Sequence, residues 1–189
     1  MLSELVKRNR SYRRFFENEI ISAEDLRYLV NLTRYVASGR NAQPLKYQAI
    51  NSVEENAAVF QTLRWAGFLK DWNGPVEGER PAAYIIILGD KSISSNFYCD
   101  HGIAAQTILL GATELGLGGC MIAAVDKTKL HQFLNLSSNL EVLLVLALGR
   151  PKEKVIIEKM DELGDYKYWR DEEKVHHVPK RNLDEILIK

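Results

Sequence analysis

The chain has no charge excess of either sign. Its 25 basic and 25 acidic residues cancel. A dedicated nucleic-acid binder is normally basic overall, so that class is set aside. Long apolar runs are missing too: none reaches the roughly 18 residues that a spanning helix needs. The N-terminal MLSELVKRN has no apolar stretch of the kind a secretory signal carries. Cysteine is scarce, and Cys99 and Cys120 are not spaced as a metal or redox pair. These absences lead to an expected cytoplasmic protein in a reducing compartment, with no membrane, no nucleic acid and no metal. Internal repeats and low-complexity linkers are absent as well.

What is present suits one globular domain. Its 189 residues are 46% hydrophobic, enough for a sizeable core. Helical spacing predicts a short helix over residues 3–9. Ser22-Ala-Glu-Asp25 has a capping hydroxyl with a carboxylate three residues on, opening a helix that ends near Ser38-Gly39. A strand is expected over residues 46–50, and a second capping box at Ser52 opens a helix to about Phe60. The β-branched run AAYIIIL (82–88) reads as a buried strand. A nearly apolar helix over residues 100–115 follows, in which Gly102 and Gly111 let neighbours approach closely. Strands over residues 118–124 and 141–148 flank a short helix capped by Asp126. Helices and strands are interspersed without strict alternation, which predicts an α+β fold with a central sheet packed by helices.

Two segments fit this scheme less well. RWAGFLKDWNGPVEGERP (64–81) mixes turn residues with Trp65, Phe68 and Trp72, and reads as a long, partly helical surface loop. Its aromatics either cover a site or fill core space. The tail from Arg150 to Lys189 is highly charged, with an aromatic knot at Tyr166, Tyr168 and Trp169. It is too polar to build a core alone, so an arm packed on another subunit would explain it.

Four stretches carry candidate chemistry. In LVKRNRSYRRFF (5–16), five positive charges gather around Ser11. Planar guanidinium forks at Arg10 and Arg13 beside a hydroxyl suit phosphate oxygens. A solvated basic helix end, favoured by the helix dipole, is the alternative. Ser38-Gly-Arg-Asn41-Ala-Gln43-Pro44 concentrates amide donors and acceptors that match the edge of a heterocycle, although turns favour the same residues. Gly116-Leu-Gly-Gly-Cys120 lies between a helix and a following strand, the wrong order for a dinucleotide fingerprint. It is either a glycine helix cap or a bare backbone for a flat ligand. His176-His177 lacks further ligand spacing and reads as a surface pair. Lys180-Arg181 could add phosphate charge if the tail folds back.

Taken in order, these elements resemble the FMN-dependent nitroreductase family, in a compact branch. The resemblance rests on R-S-x-R, S-x-x-N-x-Q-P, D-x-G-x-x-x-Q (Asp100, Gly102, Gln106), G-L-G-G and P-K-R, and covers nearly the whole chain. It implies one domain over residues 1–189, with a mostly antiparallel central sheet flanked by helices. Residues 64–81 would cover the flavin, and residues 150–189 would be an arm exchanged in a homodimer. It implies bound FMN, NAD(P)H as electron donor, and a small nitroaromatic, quinone or similar acceptor reduced by a ping-pong mechanism. Arg10, Ser11 and Arg13 would hold the phosphate and ribityl chain. Ser38, Asn41 and Gln43 would reach the flavin from the partner subunit, with Gly118 and Gly119 beside the ring. Lys180 and Arg181 would lie near the phosphate, and Trp65, Phe68 and Trp72 would contact substrate. No side chain need act as nucleophile or base. Asn9 stands where many relatives carry arginine, which leaves Arg8 and Arg10 both open as the phosphate contact. Reductive dehalogenation, flavin breakdown, and FMN or phospho-ligand binding without turnover are the alternatives.

Overall fold

The computed structural model describes residues 1–188. In chain order the elements are α1 (Leu2–Arg8), α2 (Ala23–Leu32), β1 (Leu45–Ile50), α3 (Val53–Phe60), β2 (Ala83–Asp90), α4 (Asp100–Glu114), β3 (Gly118–Ile122), α5 (Lys127–Phe133), β4 (Leu140–Gly149), β5 (Val155–Lys159), β6 (Trp169–Arg170), β7 (His176–Lys180) and α6 (Leu183–Ile186). The fold is α+β, as the mixed pattern predicts. Side chains of Ser22, Ser52 and Asp126 cap α2, α3 and α5 by accepting from the backbone three residues on. Each such cap contributes about 1 kcal/mol. α2 stops at Leu32, earlier than its apolar spacing suggests, because residues 33–35 tighten into a single 3₁₀ turn.

The central sheet runs β1-β2-β4-β3, with every pair antiparallel. All eight residues of β2 are buried, so its unbroken apolar run serves a core on each face. Ile85 and Ile87 pack with Leu29 of α2 and Ile108 and Leu109 of α4. Tyr84, Ile86 and Leu88 turn the other way, towards Val59 of α3 and Leu130 of α5. A register shift between Ile87 and Leu88 brings Val142 of β4 onto this second face. Burying each large aliphatic side chain contributes about 1.5–3 kcal/mol, so the two faces together dominate the stability of the sheet.

Gly111 lets α2 cross α4 closely: a Cβ there would lie 2.5 Å from Cδ1 of Leu32. Gly102 differs from the expectation, since a Cβ there meets nothing within 4 Å. Among the described residues, no helix is long and apolar enough to cross a membrane.

The aromatic stretch 64–81 also differs from its prediction. It forms turns and no helix, so Trp65, Phe68 and Trp72 share no helical face. Ala66 (φ 36°) and Gly74 (φ 115°) break the helical path. Trp65 is only 9% exposed. It packs against Phe60 at 5.7 Å between ring centroids and edge-on to Trp72 at 6.4 Å. Gly74 sits under it, where a Cβ would come within 2.6 Å of the indole. For Trp65 the core-packing alternative therefore fits.

The tail folds into a small sheet, β5-β7-β6, with β5 and β7 parallel. It enters beside residues 14–16, where Lys152 N donates to Arg14 O at 2.9 Å. Its apolar content is small, and Glu153, Met160 and His176 are its buried residues.

Candidate functional site

A cleft of about 280 Å³ lies between the segment after α1, helix α4, strand β3 and strand β7. Arg10, Ser11, Arg13 and Lys180 line it together with Gln106, Met121, Tyr168 and His176. The structure thus gathers four predicted site residues in one place.

Local pairing explains how. α1 ends at Asn9 in extended backbone, and the chain continues as a short strand beside β3. Ser11 bridges Gly119 in parallel, and Tyr12 N donates to Gly119 O at 3.0 Å. Gly118 and Gly119 permit that approach. A Cβ on Gly118 would lie 2.5 Å from the Tyr12 ring, and one on Gly119 2.6 Å from Ala147 O. Both glycines therefore serve close packing of strands beneath the cleft. Met121, two residues further on, is the β3 side chain that lines it.

The charges are arranged for an anion. Arg10 donates from Nη2 to Val6 O at 2.7 Å, while its Nε is buried without a partner. Arg8 is not part of the lining; its carbonyl accepts from the Tyr12 hydroxyl at 3.0 Å. Arg10 is thus the one placed in the cleft. Arg13 donates from Nη1 to Ser11 O and to His176 Nε2, both at 3.2 Å, and lies 4.7 Å over the Tyr168 ring. Lys180 adds a third cation, and the lining holds no carboxylate. Arg181 points away; it is exposed and pairs with Glu185 at 3.9 Å.

His176 corrects the reading of the histidine pair as surface residues. Alternation along β7 turns His176 inward to 1% exposure. Burial, then the charges of Arg13 and Arg170, pull its pKa down to about 4. It is neutral near pH 7, accepts from Arg13 at Nε2, and so carries its proton on Nδ1, which has no partner. His177 faces the other way, stacked on Trp169 at 4.0 Å and held between Glu158 and Asp171.

Glu153 ties these parts together. Its buried carboxylate accepts from the backbone N–H groups of Arg13 and Arg14 and from Arg170 Nη2. Sequence reading missed it because a lone Glu in a charged tail carries no local signal. Beneath Ser11, burial pushes the Cys120 thiol up, which keeps it protonated and unreactive.

Ser38, Asn41 and Gln43 lie elsewhere in the chain, on a second cleft of about 190 Å³. Arg40, Asn41 and Gln43 all have left-handed backbone, with φ of 54°, 55° and 51°. Such residues cost on the order of 1 kcal/mol or more each unless surroundings impose them. Asp100 does so. Its buried carboxylate accepts from Ser38 Oγ at 2.6 Å and Gly39 N at 2.9 Å, while Gln43 N donates to Ser38 Oγ at 2.9 Å. Ser38 is thereby occupied in fixing the loop.

The predicted substrate residues also separate. Phe68 and Trp72 line an open cleft of about 700 Å³ with Trp169 and Arg170, whereas Trp65 belongs to the core. Phe68 rests on Tyr168 at 5.0 Å, the same ring that walls the Arg10 cleft.

The arrangement fits a dianionic ligand such as FMN. Arg10, with its unpartnered Nε, Ser11, Arg13 and Lys180 line this one cleft, a donor set that suits phosphate oxygens. Comparison with known proteins agrees. The model of the nitroreductase family matches residues 6–150, and the chain belongs to that family. An iodotyrosine deiodinase from Thermotoga neapolitana is 24% identical over 172 residues, covering 81% of this chain and 90% of the relative. An FMN-dependent nitroreductase from Clostridium difficile R20291 superposes with a TM-score of 0.66 at 24% identity, over 82% of this chain and 89% of that one. A nitroreductase family protein from Streptococcus pneumoniae TIGR4 gives a TM-score of 0.73 at 16% identity, over the full length of both. At these identities the structural likenesses establish the fold.

Proposed function

We propose that the protein is an FMN-dependent oxidoreductase that takes electrons from NAD(P)H and passes them, in a ping-pong cycle, to a small electrophilic acceptor such as a nitroaromatic or a quinone. The observation that carries this is the buried, unpartnered Arg10 Nε beside Ser11, Arg13 and Lys180, in a chain of the nitroreductase family.

FMN, when bound, supplies the hydride and electron transfer that no side chain in the cleft provides. The chain's own residues bind and orient. Arg10 and Lys180 neutralise the phosphate. Arg13, held by neutral His176 and by Tyr168, keeps its positive charge in the cleft where the reduced cofactor needs it. Gln106 and Met121 bound the cleft from α4 and β3.

The working unit is a homodimer. Support comes from the separation of the two clefts in one protomer: a second copy would bring its Ser38–Gln43 loop to the Arg10 side. The exposed apolar side chains Leu183, Ile186 and Leu187 on the terminal helix favour a packed arm. Light scattering should then give about twice the 21.6 kDa chain mass. A flavin-saturated monomer would exclude it.

Reductive dehalogenation is the second reading, favoured by the deiodinase relative. The test is anaerobic reduction of the yellow protein by NADH and by NADPH, followed by a panel of nitroaromatic, quinone and iodinated phenol acceptors. Flavin that binds but is never bleached by either nucleotide would leave a carrier and exclude the reductase.

A further inference from the structure

A separate cleft of about 380 Å³ opens on the opposite face of the sheet from α4, between α3 and the start of β2. Three of its side chains carry buried polar atoms without partners: Asn56 Oδ1, Arg80 Nε and the Tyr84 hydroxyl. Buried polar groups are nearly always paired, so three in one cavity call for a partner from outside the chain, a ligand or bound water. Tyr84 is 0% exposed and belongs to the lining.

The polar groups are fixed in orientation. Asn56 Nδ2 donates to Ala82 O at 2.8 Å, which leaves Oδ1 as the free end of the amide. Arg80 lies 4.7 Å over the Phe60 ring, and its backbone N–H donates to Glu17 Oε2 at 3.2 Å. Burial and the charge of Glu17 raise the pKa of the Tyr84 phenol, so it remains an O–H donor. The cleft therefore sets donors, from Tyr84 and Arg80, beside acceptors, from Asn56, Glu17 and Glu77. Val53 and Phe60 supply an apolar wall.

This division of donors and acceptors selects its ligand. A simple anion would satisfy Arg80 and Tyr84 but would face Glu17 and Glu77. A simple cation would leave Arg80 Nε unpaired. An apolar molecule would leave all three buried atoms unpaired. A zwitterion gives Arg80 and Tyr84 an acceptor and gives the lining carboxylates and Asn56 a donor. We propose that this cleft binds a small α-amino acid with an apolar side chain, its carboxylate against Tyr84 and Arg80 and its ammonium against Asn56 and Glu17. The site does not depend on the flavin reading, since none of its residues lines the Arg10 cleft.

Calorimetric titration of the full-length protein with L-leucine tests this. Saturable binding is expected. Isocaproate, which lacks the ammonium, and isoamylamine, which lacks the carboxylate, should each bind at least about tenfold more weakly. Tyr84→Phe keeps the ring and removes one donor, so leucine affinity should fall about tenfold with FMN affinity unchanged. If that variant does not fold, Arg80→Gln, at a half-buried position, should give the same loss. No saturable heat with L-leucine or L-phenylalanine would overturn the proposal. So would equal binding of isocaproate, or affinity unchanged in the variants, which would leave the cavity as a water-filled structural void.

Discussion

Arg13 and His176, 163 residues apart in sequence, meet at 3.2 Å, with the guanidinium donating to the imidazole. The contact requires the ring to be neutral. An unfolded histidine protonates near pH 6.5, whereas folded His176 does so at about 4. Between these values the unfolded chain binds more protons at this site, so the His176 contribution to stability is full above pH 6.5 and falls as pH drops towards 4. The loss is on the order of 3 kcal/mol over the whole window. Chemical denaturation at pH 7 and pH 5 should show it, and His176→Gln should flatten that slope. Glu79 does not obscure the upper part of the window. The Arg14 hydrogen bonds, then its charge, hold the Glu79 carboxyl at about 2, so its contribution is lost only as pH falls below about 4.5.

The proposed anchoring of FMN divides the basic residues into those expected to matter and those not. Replacing Arg10 and Lys180 together by Gln should weaken FMN binding by well over tenfold, since charge-assisted contacts contribute about 1.5–3 kcal/mol each. Arg181→Gln should leave affinity unchanged, because that side chain faces Glu185 and solvent. Fluorescence titration of the apoprotein with FMN checks both. Equal losses in the two variants would show that Arg181 also reaches the cofactor, as the tail would allow if it docked differently in the proposed dimer.

The Asp100 clamp gives a third expectation. Asp100→Asn removes the charge that accepts from Ser38 and Gly39. The left-handed residues Arg40, Asn41 and Gln43 should then relax, with a stability loss of about 1–3 kcal/mol. Ser38→Ala should lose a smaller share, since Gly39 N–H still reaches the carboxylate. Thermal unfolding of both variants tests the order. If the flavin is completed by this loop across a dimer, FMN affinity should fall in the same order.

Much of the fold was readable because its signals are local. The β2 run is apolar throughout because both faces are buried, and three capping residues mark three helix starts. The Arg10–Ser11–Arg13 cluster was readable because its charge density is anomalous within one short segment. Residues that act across long separations were not. Glu153 reaches Arg13 over 140 residues, and Asp100 reaches Ser38 over 62. Neither carboxylate differs locally from a solvated one. His176 was misread because adjacent histidines resemble a polar surface pair, and only the strand period of β7 distinguishes the inner from the outer ring. Gly116–Gly119 reads as a helix cap or a bare backbone for a flat ligand, not as the strand-packing positions that Gly118 and Gly119 occupy. What approaches them, the Tyr12 ring and the β4 backbone, comes from other elements.

The three aromatics of the 64–81 segment should separate experimentally as they do in space. Trp65 is buried between Phe60 and Trp72, so Trp65→Ala should cost about 3–5 kcal/mol and leave relative acceptor rates unchanged. Phe68 is 43% exposed and rests on Tyr168, which walls the Arg10 cleft. Phe68→Ala should therefore change stability little while altering the ratio of nitroaromatic to quinone turnover. Trp72 stands between these cases. Its ring packs on Trp65 at one side and carries the Arg170 guanidinium 4.2 Å over it at the other, on the wall of the open cleft. Trp72→Ala loses packing and also frees Arg170, whose Nε already lacks a partner, to pivot about its Glu153 contact towards solvent. Both stability and acceptor ratio should respond, each by less than in the variant that affects it most. Melting temperature and an acceptor panel measured on all three variants decide the matter. A Phe68→Ala enzyme with unaltered acceptor ratios would remove the segment from substrate selection and leave it a packing element alone.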